Sequence, residues 1–151
     1  MVESVHPTRI LVPTDFSPGA DAALGWAQSL GAAFGAEVIL LHVVDLSIAA
    51  LAGFPSTLAA VPAAGELLDR IRTESDEEMR RLTARIPGAR GLVREGTPRS
   101  IILDVAREVG AELIVMGTHG RTGLTHAFFG SVAEHVVRHS RIAVLTVRQQ
   151  G

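Results

Sequence analysis

The sequence contains no cysteine and no lysine: all of its fourteen basic residues are arginine. Without cysteine, disulfides, thiolate metal sites and cysteine nucleophiles are excluded. Without lysine there is no Walker phosphate-loop lysine, no Schiff-base lysine and no lysine for a phosphoacceptor receiver domain, whose acidic pair after the first strand is also missing. No apolar run reaches the roughly 18 to 20 residues of a membrane-spanning helix. The nearest stretch, 46–65, is interrupted by Ser47, Gly53, Pro55, Ser56 and Pro62. The opening MVESVHPTR holds no apolar segment of the kind a secretory leader requires. A formal charge of −2 and a pI near 6.3 give no electrostatic reason to expect nucleic acid or an anionic membrane as partner. A soluble cytoplasmic protein is expected. At 151 residues one domain spanning 1–151, with its core at about 8–148, is expected.

Within those limits the chain alternates short apolar runs with helical patterns. RILVPT (9–14) reads as a buried strand, followed by Ser17 as a helix N-cap and Pro18 at the first helical position, where a missing N–H costs nothing. Ala20, Ala23, Ala27, Leu30 and Phe34 recur at helical spacing, with Trp26 and Phe34 read as packing residues and Gly35 as the stop. EVILLHVV (37–44) is a second strand, with His42 expected as a hydrogen-bonded core residue. Residues 45–65 form an alanine- and proline-bearing stretch that suits a short helix or a cover. A helix follows to Ile86, with Glu74, Asp76, Glu77 and Glu78 on a solvated face. Strands at 89–94, 112–116 and 142–147 enclose a helix that Thr97 and Pro98 begin and one that Ser131 opens as a capping box with Glu134. Such alternation predicts an α/β domain with a mainly parallel sheet, Rossmann-like in its winding. Ligands in open sheets of this kind lie at the carboxyl ends of the strands where the winding reverses. If the first and fourth strands are neighbours there, the Asp15 turn and the loop after Gly117 share one crevice.

That loop is the densest signal in the chain. Gly117, Gly120, Gly123 and Gly130 fall between an apolar strand and a helix start, the order that brings backbone amides up to phosphate. Neither G-x-x-x-x-G-K-[ST] nor G-x-G-x-x-G is present; the pattern is Gly117-x2-Gly120-x9-Gly130-Ser131. Arg121 offers positive charge inside it, and Thr118, His119 and Val132 flank the glycines and the helix start. His126 is a further loop histidine. His135 and His139, four apart, lack a third metal ligand and read as favourable cations near a helix C-terminus.

With this pattern, VPTDFS (12–17), LLHVVD (40–45), IVMGTHG (114–120) and the closing GSVAEHVVRHS and IAVLTV, the chain resembles the universal stress protein family, specifically its ATP-binding branch, over nearly its whole length. The resemblance implies an open five-stranded sheet in the order 3-2-1-4-5 with helices on both faces, usually as a homodimer, and a role in stress survival. It implies that Asp15 and Val43 meet the adenine and ribose end of the nucleotide and that Pro13 and Thr14 shape that wall. Met116 then stands where the loop begins, and Gly117, Gly120, Gly130 and Ser131 cradle the triphosphate. ATP, with or without Mg2+, is the implied cofactor, and no catalytic constellation is found. Asp15 could also help hold the magnesium. The strand at 142–147 would otherwise be an unprotected apolar edge and suits antiparallel pairing with a second copy. The function expected is a nucleotide-dependent sensor or regulator. A slow Mg-dependent ATPase working through Arg121 and Asp15, and a nucleotide-independent dimeric interaction module, stay open as alternatives.

Overall fold

The computed structural model describes residues 1–46, 62–119 and 129–150, the side chains of 62–64 excepted. Five parallel strands form one sheet: β1 (Arg9–Pro13), β2 (Glu37–Val44), β3 (Arg90–Glu95), β4 (Leu113–Gly117) and β5 (Ala143–Val147), in the order β3-β2-β1-β4-β5. The sheet is covered by helices α1 (Pro18–Phe34), α2 (Pro62–Ala84), α3 (Pro98–Glu108) and α4 (Ser131–His139). The expected architecture is observed.

Because strand side chains alternate between faces, each central strand feeds two cores. Ile10, Val12, Val38, Leu40 and Val115 point to one, where Ala23, Leu24 and Ala27 of α1 and Met79 of α2 cover them. Leu11, Ile39, Leu41, Ile114 and Met116 point to the other, beneath Ile102 and Val105 of α3 and Val136 of α4. β1 and β4 lie side by side, with Ile10 opposite Leu113 and Leu11 opposite Ile114. The chain therefore leaves β1 toward α1 on one face and leaves β4 toward α4 on the other, and the reversal opens a crevice at their carboxyl ends.

Local chemistry fixes the elements that border that crevice. Ser17 caps α1, its Oγ accepting from the Ala20 amide at 3.3 Å, and Pro18 opens the helix. Gly35 ends it at φ 67°, a left-handed conformation that glycine adopts without penalty. α1 lies close because its buried stripe is small: a Cβ on Gly31 would stand 2.9 Å from a methyl of Val38. Gly91 plays the same part under α2, where an added Cβ would fall 2.6 Å from Met79 Cγ. Glu37 at the amino-terminal edge lies between Arg9 (3.8 Å) and Arg90 (3.6 Å), tying three strands together.

Three expectations need correction. Trp26 and Phe34 are 56% and 41% exposed. The close approach of α1 is made by alanine and glycine, which leaves Trp26 off the buried stripe and Phe34 at the helix end, edge-on to the His6 ring at 5.6 Å. Ser131 is the first helical residue of α4; the N-cap is Gly130, with no side-chain cap, and Glu134 reaches Arg138 at 2.9 Å instead of turning back to the helix start. Thr97 occupies the N-cap of α3 but its side chain makes no capping bond. Of the stretch at 45–65, residues 47–61 lie outside the described residues, as do Gly120, Arg121, Gly123 and His126.

Candidate functional site

The first wall of the crevice is the turn after β1. Thr14, buried, donates its amide to the Leu41 carbonyl at 2.8 Å, so the turn begins on the edge of β2. Its hydroxyl accepts from the Phe16 amide at 3.0 Å, and Asp15 Oδ1 accepts from the Ser17 amide at 3.0 Å. Between these two bonds Phe16 is held at φ 61°, a left-handed conformation uncommon for a bulky residue. Its ring lies against His42, centroids 4.6 Å apart, and His42 donates from Nδ1 to the Thr14 carbonyl at 2.8 Å. Strain of this kind persists where surrounding contacts over-determine it, and here two side-chain bonds and a ring contact do so. His42 is half-buried and hydrogen-bonded, as its place in an apolar strand suggests.

The second wall is the end of β4. Thr118, buried, donates its amide to the Val147 carbonyl at 3.2 Å, and its hydroxyl lies 3.0 Å from Nδ1 of His119. The two walls touch through glycine. A Cβ on Gly117 would meet the Gly19 carbonyl oxygen at 3.0 Å, and one on Gly19 would meet the His119 carbonyl oxygen at 3.0 Å. The start of α1 is thereby seated on the end of β4.

The third component is the start of α4. Gly130 donates its amide to the Thr118 carbonyl at 2.6 Å, which anchors the helix beside the β4 exit. Gly130 itself has an ordinary extended φ of −69°. Its value lies in the absence of a side chain, since a Cβ would stand 3.2 Å from Thr118 O. The first intrahelical amide of α4 is that of Glu134, bonded to Gly130 O at 2.9 Å. The amides of the preceding turn carry the positive end of the helix dipole, and the glycine at the N-cap offers them no side-chain acceptor.

Thr14, Asp15, Gly117, Thr118, His119, Gly130 and Ser131 are thus gathered at one edge of the sheet. Pro13 ends β1 there. Val43, Met116 and Val132 contribute side chains to the core beneath α3 and α4. Phe16, His42 and Gly19 escaped the sequence reading as site residues, because a left-handed turn, a ring contact and a backbone approach are tertiary facts. The DFSPG order of the turn was the only local signal.

Among the described residues no group of three or more His, Asp or Glu side chains could hold a metal ion, and no helix is long and apolar enough to cross a membrane. His135 and His139 stack at 4.1 Å, and His139 Nδ1 lies 2.9 Å from the His135 carbonyl. Desolvation, with His139, Arg99 and Arg138 nearby, lowers the proton affinity of His135 below that of an ordinary histidine. It is not the favourable helix-end cation that spacing suggests.

Comparison with known proteins agrees with the fold. The universal stress protein MJ0577 of Methanocaldococcus jannaschii is 31% identical across 98% of this chain and 99% of its own. Its solved structure superposes with a TM-score of 0.84 over 97% of this chain and 99% of that one. UspA from Lactobacillus plantarum superposes at 0.82 with 29% identity, covering 96% and 100% of the two chains. A universal stress protein solved in complex with cAMP is 25% identical, with a TM-score of 0.60 over 95% and 98%. Residues 7–148 match the Universal stress protein family, and the chain belongs to it.

Proposed function

We propose that this chain binds ATP, with magnesium, in the crevice above β1 and β4, and that the bound nucleotide acts as a sensing or regulatory state in stress response. The observation that carries the reading is the α4 start: a helix N-terminus whose N-cap is a glycine and so supplies no side-chain cap of its own, held by Gly130 against the Thr118 carbonyl, beside the Asp15 turn. Free first-turn amides and a dipole end make a site for anionic oxygen. Gly117 and Gly130 keep that approach clear, and the relative solved with cAMP supports a nucleotide as the occupant. The residues present fit the group. A bound nucleotide would supply polyphosphate charge and an adenine face.

In this reading Ser131 and the α4 amides donate to phosphate oxygens, with Gly120 and Arg121 completing the cradle. Asp15 accepts from the ribose or adenine end or orders magnesium. Val43, Met116 and Pro13 exclude water below the base, while Thr118, His119 and Val132 position the loop and helix start. Two copies pair through the open β5 edge. In this reading the nucleotide is held and not efficiently turned over.

Calorimetric titration with ATP and Mg2+ tests the reading. Saturable binding is expected, weakened about tenfold or more in Gly130→Val (about 1.4 kcal/mol or more) while that variant still unfolds cooperatively. Undetectable binding to the wild type, or equal binding by the variant, would overturn it.

A further inference from the structure

A groove of about 500 Å³ runs between α3 and α4, away from the crevice. Its far end is bordered by Gly110 and Ala111, which precede β4, and by Arg141 and Ile142, which precede β5. The crevice lies at the opposite ends of those strands, and the five residues of β4 span about 16 Å. The two sites are separate.

The groove has an apolar floor and a basic rim. Leu103, Ala106 and Ile142 line the floor, and Arg107, His139 and Arg141 stand at the rim. Arg107 is paired with Asp104, and Arg138 on the same helix face as His135 is paired with Glu134. Arg99 and Arg141 make no ion pair among the described residues. In a chain of formal charge −2, this neighbourhood carries four guanidinium groups against two carboxylates. Burial is the first cause of the depressed proton affinity of His135, and the charges of His139, Arg99 and Arg138 lower it further. A metal is disfavoured here as well: nearby guanidinium groups repel a cation, and among the described residues the histidine pair has no third ligand.

We propose that the α3–α4 groove is a second binding site, for a small amphipathic anion whose carboxylate, sulfonate or phosphate head meets Arg141 and the His135–His139 pair while its apolar body lies on Leu103, Ala106 and Ile142. Pockets of this size with an apolar lining and a few convergent polar groups are of small-molecule dimensions. Binding is linked to protonation. Around His135 stand Arg99, Asp104 and Arg107 from α3, Glu134, Arg138 and His139 from α4, and Arg141 beyond it. A negative head group among them raises the proton affinity of His135, so by reciprocity acid strengthens binding.

The test uses 8-anilinonaphthalene-1-sulfonate, whose sulfonate keeps its charge across the range, followed by fluorescence on the full chain at pH 7.5 and pH 5.5. The expected result is saturable binding of one probe per chain, several-fold tighter at pH 5.5 and weakened about tenfold by Arg141→Glu (about 1.4 kcal/mol). In His135→Gln the pH dependence shrinks. Arg141 is exposed, so its substitution leaves the fold intact, and an unchanged thermal transition verifies this. Absence of saturable binding, or equal affinity in Arg141→Glu, would overturn the assignment, whatever the result with ATP.

Discussion

Two glycines of this chain predict opposite outcomes for the same substitution. In Gly117→Ala the new methyl would stand 3.0 Å from the carbonyl oxygen of Gly19, and backbone on both sides cannot yield cheaply. The variant is expected to lose about 1–3 kcal/mol of stability, read as a lowered denaturation midpoint with an unchanged slope. Gly25 lies inside α1 and has nothing within 4 Å of an added Cβ. Gly25→Ala is expected to gain about 0.5–1 kcal/mol through helix propensity and reduced unfolded-state entropy. If both were neutral, the close seating of α1 on β4 would not be a constraint. Ser17→Ala removes the cap bond to Ala20 and should cost about 1 kcal/mol.

At the scale of elements, α2 is fastened to the end of β3 by an ion pair. Arg72 Nε and Glu95 form the nearer of two bonds, and Arg72 Nη2 donates to Glu95 Oε2 at 3.1 Å. The hydrogen bond from Arg72 holds the Glu95 carboxyl below the usual carboxylate range and raises the guanidinium in turn. The folded chain therefore binds fewer protons at Glu95 than the unfolded chain does. The contribution is present above the ordinary carboxylate pKa and fades as pH falls through the folded value. Denaturation midpoints of wild type and Glu95→Gln should differ at neutral pH and converge in acid; a constant difference would remove Glu95 from the account. His135 acts in the same direction near pH 6.5, because its folded proton affinity is also depressed and stability falls as pH drops below the ordinary histidine range.

How much of these elements was legible depends on the range of the physics. Ser17, Pro18 and Gly35 are local punctuation, and the structure uses them as read. The apolar runs of β1, β2 and β4 announce strands buried on both faces, and their alternation with helices announces the parallel sheet. The capping box at Ser131 failed by one residue because Gly130, anchored to Thr118 O, takes the N-cap instead. The Phe16–His42 ring contact, the Gly19–Gly117 approach and the Gly91–Met79 contact join segments whose proximity exists only after folding, so no local pattern announces them. Trp26 was misread because helical spacing does not reveal which face small residues claim.

For the whole molecule, β5 stands at the end of the sheet with β4 on one side. Ala143 is exposed, and Val144, Leu145 and Thr146 are half-buried. An open apolar edge of this kind recruits a partner strand, and pairing about a two-fold axis closes it. Sedimentation equilibrium is expected to give twice the chain mass of 15.9 kDa. A single-chain mass at micromolar concentration would contradict the paired edge while leaving the crevice untouched.

Hydrogen exchange with and without ATP and Mg2+ tests the central claim most directly, because it asks where a nucleotide acts as well as whether it binds. Slowed exchange is predicted in the Thr14–Ser17 turn, at Thr118 and His119, and in the first turn of α4 from Ser131, with α2 unchanged. Protection spread evenly over the sheet, or confined to α2 and β3, would contradict the account.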